Sequence, residues 1–179
     1  MKEIYIVLSQ TGSIVCKILE KLTHVDYNHV SLSLDGELNS MFSFGRIYPY
    51  IPLPGGFVEE SPHCGTMKRF SDTEVRVLAV SVNDDIYDRL KSELQQMLSE
   101  KYSYHYDVVG LICAAFNKVY RRKNHYYCSE FVREVLVKHG IESPDLFPEI
   151  VRPTDFLEIP DCSEIYNGKL REFAGAVNT

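Results

Sequence analysis

The sequence predicts an α+β domain in which an antiparallel sheet of five or six strands is packed on one side by helices. Three observations carry this reading. Tyr27-Asn-His29-Val-Ser-Leu-Ser-Leu-Asp-Gly36 alternates apolar with polar residues and then turns. Glu74-Val-Arg-Val-Leu-Ala-Val-Ser-Val82 alternates and then runs apolar, as a central strand does. Phe131, Val132, Val135 and Leu136 recur at helical spacing in a segment that Gly140 stops. The 179 residues, 45% of them hydrophobic, suffice for one domain over 1–179 with a real core.

The elements follow in order. A strand at residues 4–8 leads through Ser9-Gln-Thr-Gly12 into a helix to about residue 22, with Thr11 or Ser13 as cap and Cys16 in its core face. Strands at 29–34 and 38–44 form a hairpin around Asp35-Gly36. Residues 45–57 hold too many prolines and glycines for regular structure. This aromatic-bearing loop is either a substrate wall or a packed connector. After the 74–82 strand, Asn83 or Asp84 caps a helix through Ser99 that buries Ile86, Leu90, Leu94, Met97 and Leu98. Asp107 starts a helix to about Tyr120, with Cys113 in its apolar run. Arg152-Pro-Thr-Asp-Phe156 is a short capped helix with Pro153 in its first turn. Residues 163–173 add an edge strand around an Asn167-Gly168 turn.

Charge and composition exclude several functions. The net charge is −6 and no basic stripe runs along an element, which argues against a nucleic-acid partner. Arg121-Arg-Lys123 reads as a solvated loop rather than an anion or membrane contact. No stretch reaches the roughly 20 apolar residues of a membrane span, and Met1-Lys-Glu-Ile-Tyr-Ile-Val-Leu-Ser9 lacks a secretory pattern, so the expectation is a cytoplasmic protein without a transmembrane segment. Five cysteines without paired spacing fit a reducing compartment rather than a disulfide framework. The histidines and cysteines are too scattered for a metal site, His63 and Cys64 read as loop residues, and no cofactor is implied. His105 and His125 belong to an aromatic rim or reach the site.

Chemistry concentrates in two segments. Cys128 opens the amphipathic helix, where unpaired backbone N–H groups and the positive end of the helix dipole favour an anion, the form in which sulfur attacks. The same amides could hold an oxyanion. His29 sits on a strand, and an imidazole beside a thiol can take its proton and later return it to a leaving group. Taken singly, a core cysteine and a structural histidine are the commoner fates.

Together, Tyr27-Asn-His29-Val-Ser31 upstream and Tyr127-Cys128-Ser-Glu-Phe-Val132 downstream resemble the circularly permuted branch of the NlpC-type papain-like superfamily. That branch includes the YiiX-like proteins and the lecithin-retinol acyltransferase group, and in it the histidine strand precedes the cysteine helix, as here. The resemblance implies a permuted papain-like fold with Cys128 as nucleophile and His29 as general base. It also implies a third polar residue behind the imidazole, which falls at Ser43, with Ser40 as competitor and a group from elsewhere in the chain, or the dyad alone, as the alternatives. A two-residue Asp35-Gly36 turn puts Ser40 on the His29 face; an odd-length loop puts Ser43 there. Tyr27, Tyr127 and Ser129, within the same motifs, are candidate substrate contacts. The implied activity is cysteine-dependent hydrolysis of a small peptide, amide or acyl substrate. Acyl transfer to an amine or alcohol by the same dyad, and a catalytically weak binding module of the same fold, are the alternatives.

Overall fold

The computed structural model describes residues 1–10, 27–48, 50–51, 53–69 and 72–176, the side chains of 174–176 excepted. The helix expected between Ser9 and residue 22, with its caps and Cys16, lies outside the described residues.

Eight strands form one sheet: β1 (Lys2–Ser9), β2 (His29–Ser33), β3 (Met41–Arg46), β4 (Gly55–Glu60), β5 (Glu74–Val82), β6 (His105–Tyr106), β7 (His125–Tyr126) and β8 (Cys162–Lys169). Their order is β7-β6-β4-β3-β2-β1-β5-β8. Neighbours are antiparallel except β6 and β7, which run parallel. The class is α+β as expected, but the sheet is larger than five or six strands and mixed. The added strands are short or begin on glycine: β6 and β7 have two residues each, and β4 opens at Gly55-Gly56 inside the stretch read as irregular. Backbone pairing with a neighbour, not side-chain alternation, makes them strands.

The helices are α1 (Gly65–Arg69), α2 (Asp84–Ser99), α3 (Val108–Ala115), α4 (Cys128–Lys138) and α5 (Leu170–Ala176). They cover both faces of the sheet rather than one. Ile4, Ile6, Leu8, Val30, Leu32, Phe44, Leu78 and Val80 form one core with Leu90 and Leu94 of α2 and Phe131, Val135 and Leu136 of α4. Val7, Met41, Val75 and Val77 face the other way and meet Met67 of α1 and Leu170 and Phe173 of α5. β1 and β5 are apolar on both sides because both sides are buried. None of the described helices is long and apolar enough to cross a membrane.

Local physics sets the helix ends. The Asn83 side chain accepts from the Ile86 N–H at 2.8 Å, and Gly140 takes a φ of 67° just past α4. Asp107 caps α3 through the Gly110 N–H at 2.9 Å, but α3 ends at Ala115, short of Tyr120, and Cys113 is half-buried rather than core. Pro153–Glu158 is a short 3₁₀ helix in which Asp155 accepts from the Arg152 N–H at 2.6 Å. β8 runs straight through Asn167-Gly168 without a turn and passes directly into α5. It pairs with β5 on both sides of a bulge at Ile165, and that pairing overrides the local turn signal.

Candidate active site

Cys128 and His29 each occupy the first position of their element, α4 and β2. α4 lies against β2 and β3, with Phe131 packed between Phe44 and Phe57 at centroid distances of 5.3 and 5.4 Å. Fixing one face of the helix in this way also fixes where its first turn points. Tyr127, the residue before the helix, makes no side-chain cap, so no capping side chain occupies the amides of the first turn.

The imidazole of His29 is held from two sides. Its Nε2 is 2.9 Å from Oε2 of Glu60, and the same carboxylate oxygen accepts from the Ser31 hydroxyl at 2.7 Å. The Cys128 thiol is close enough to the ring to favour its protonated form. With Nε2 committed to Glu60, Nδ1 is the nitrogen left for sulfur. Burial alone would push the imidazole down. The Glu60 charge, the contact with Cys128 and the hydrogen bond from Glu60 outweigh it and raise the group well above its ordinary range. Burial would likewise raise the Glu60 carboxyl, yet the facing imidazole, the two hydrogen bonds and the Arg46 charge hold it below the carboxylate range. The pair therefore favours imidazolium against carboxylate.

The third partner expected at Ser43 is instead Glu60. The seven residues between Ser33 and Met41 make an odd-length loop, not a two-residue turn. Asp35 organises it by accepting from the Glu37 and Asn39 N–H groups, each at 2.9 Å, while Leu38 takes a φ of 58°. The β2–β3 register, Leu32 with Phe42 and Ser33 with Met41, continues to put Ser43 rather than Ser40 on the His29 face. The Ser43 hydroxyl, however, donates to the Val30 carbonyl at 2.7 Å and serves the backbone. Ser40 donates to Glu59. Glu60 reaches the imidazole across β3 at Gly45, where a Cβ would stand 3.5 Å from Oε1 of Glu60 and 3.8 Å from Cε1 of His29. A side chain longer than a methyl at position 45 would press on both groups.

The expected substrate contacts are placed differently. Ser129 is buried and its hydroxyl donates to the Val151 carbonyl at 2.8 Å, so it ties α4 down rather than lining a cleft. Tyr127 is buried too, and burial pushes its phenol up. Tyr27 packs half-buried against the main core. Tyr104 packs on Phe44 and Phe57 at 6.4 and 6.3 Å, while His105 and His125 face each other at 5.0 Å. Cys128 keeps 5% of its surface exposed and His29 8%, so both are buried. A groove of about 790 Å³ lies elsewhere, between α2 and the end of α4, lined by Glu93, Gln96, Lys138 and His139. It stands one helix length, about 16 Å, from the sulfur.

The basic loop before α4 is structural in part. Arg121 pairs with Glu130 at 3.3 Å and donates to the Glu149 carbonyl at 3.0 Å. Arg122 pairs with the fully buried Asp107 at 2.7 Å. These bonds anchor the segment that delivers Cys128. No cluster of three or more metal-ligating side chains occurs among the described residues. The sequence matches no protein-family model and no curated protein sequence.

Proposed function

We propose that this protein is a cysteine-dependent hydrolase of the amidase or peptidase type, with Cys128 as nucleophile, His29 as general base and acid, and Glu60 as the residue that orients the imidazole. The line of contacts from Cys128 through His29 to Glu60 carries this reading. The sequence resemblance to permuted papain-like enzymes supports it.

With the thiol proton already carried on Nδ1 of His29, sulfur adds to the substrate carbonyl as thiolate, and the backbone amides of the first turn of α4 face the resulting oxyanion. Collapse of the tetrahedral adduct breaks the carbon–nitrogen bond, and His29 returns its proton to the departing amine. Water then attacks the thioester with His29 as base, releasing the acid and restoring the thiol. Glu60 keeps Nε2–H bound throughout and offsets the positive charge on the ring.

The test is trapping of the acyl-enzyme. Wild-type protein is incubated with activated esters and anilides and its intact mass is followed. A hydroxylamine-labile adduct mapped to Cys128, absent in Cys128→Ala and in His29→Ala, is the expected result. Acylation of Cys64 or Cys113 at the same rate as Cys128 would sink the proposal, because no imidazole is paired with those thiols among the described residues.

A further inference from the structure

We infer that α3 and the β3–β4 loop form a docking surface for an anionic lipid bilayer. α3 buries only Gly110, although nearly all its residues are apolar. Val109, Ile112 and Phe116 recur at i, i+3 and i+7, so they share one face, and that face is exposed, with Phe116 at 70%. The β3–β4 loop is exposed in the same manner, with Tyr50 at 80% and Ile51 and Leu53 beside it. β4 and β6 are antiparallel and pair Gly56 with His105, so the chain enters β4 at the same end of the sheet at which it leaves β6 for α3. The two apolar segments thus share one end of one sheet edge. Exposed apolar side chains gathered at one end of a sheet are what an interaction site presents.

Charge selects the occupant. The chain carries a net −6, yet no acidic residue occurs between Asp107 and Glu130, a span that holds Lys118, Arg121, Arg122 and Lys123. All four are exposed; Arg121 and Arg122 are paired with Glu130 and Asp107, while Lys118 and Lys123 follow the apolar helix without an ion pair among the described residues. A two-fold contact between copies would set these cations against themselves. An anionic headgroup layer instead complements them, while the apolar residues enter the acyl boundary and tyrosines sit at headgroup level. Eight residues of helix span about 12 Å, which suits lying in the interface and not crossing it.

The chain has no tryptophan, so a single introduced one reports on its own site. Phe116→Trp, and Ile165→Trp on β8 at the opposite sheet edge as control, are mixed with vesicles of phosphatidylcholine alone or with phosphatidylserine, at low and high salt. The expected result is a blue shift of Phe116→Trp, and not of Ile165→Trp, with phosphatidylserine vesicles, reversed by salt. Vesicle flotation should fall at least tenfold in Ile112→Ser/Phe116→Ser and on the order of fivefold for each of Lys118→Gln and Lys123→Gln. The lysine variants keep the test valid should the apolar one unfold. Equal shifts at both positions, equal binding to neutral vesicles, or no binding overturns the inference. So does a vesicle-free dimer that Phe116→Ser dissolves, or an acidic protein partner that displaces the vesicles.

Discussion

Glu60→Gln isolates the electrostatic role of the carboxylate, because glutamine keeps its size and can still accept one hydrogen bond. What it loses is the charge behind bonds of 2.9 Å to His29 and 2.7 Å to Ser31, both in a buried setting. A hydrogen bond to a charged group contributes about 1.5–3 kcal/mol against about 0.5–1.5 for a neutral one. Only the first bond acts on the imidazolium, so removing the charge behind it should destabilise that form by about 1–1.5 kcal/mol, which corresponds to roughly five- to twelvefold. The assay is the second-order rate of Cys128 alkylation by iodoacetamide across pH, read by peptide mass, alongside the NMR titration of the His29 ring. The expected outcome is a fall of that size near neutral pH, with the His29 midpoint dropping from its raised position as burial is opposed by the Cys128 contact alone. An alkylation rate within twofold of wild type, with the His29 midpoint still raised, would refute the reasoning.

Ser43→Ala should lower stability by about 1 kcal/mol through the lost bond to the Val30 carbonyl while leaving Cys128 alkylation unchanged, a split measured by urea melts beside labelling. Asp107→Ala removes both the α3 cap and the Arg122 partner, and a loss of about 2–4 kcal/mol is expected in the same melts. Stability should also depend on pH through the buried pair. The depressed Glu60 contributes fully above its usual 4.5 and is lost as pH falls through its lower folded value. The raised His29 contributes fully below its usual 6.5 and is lost as pH rises through its higher folded value. The melting-temperature difference between wild type and Glu60→Gln should thus peak between those two ordinary values and shrink on either side; a flat difference would contradict the pairing.

The fold was legible wherever one periodicity dominated a long segment. β5, α2 and α4 appear where their patterns place them, because each buries a face wide enough for 2- or 3.6-residue spacing to show. β6 and β7 have only two residues each, and no pattern can be read from two residues. β8 contradicts its own Asn167-Gly168 signal because a full-length partner, β5, was already in place. Coverage of both faces was encoded in Val7, Val75 and Val77, apolar residues at positions that a one-sided sheet would leave polar.

The site was legible in its two ends and not in its middle, and the reason is register. Cys128 and His29 announce themselves by local context, a helix start and a strand start. Glu60 has no such context: its place beside His29 depends on β4 being a strand, on β4 pairing with β3 so that Glu60 meets Met41, and on Gly45 leaving β3 bare between them. A loop of even length at Asp35 would turn β2 over relative to β3 and β4, sending the imidazole to one face and the carboxylate to the other. The acidic pair Glu59-Glu60 closing Gly-Gly-Phe-Val was the available signal, since alternation puts only one of the two on any given face. Seven residues of loop thus decide which glutamate meets the histidine. The Asp35 bonds to Glu37 and Asn39, which touch none of the three side chains, are part of what brings base and carboxylate together.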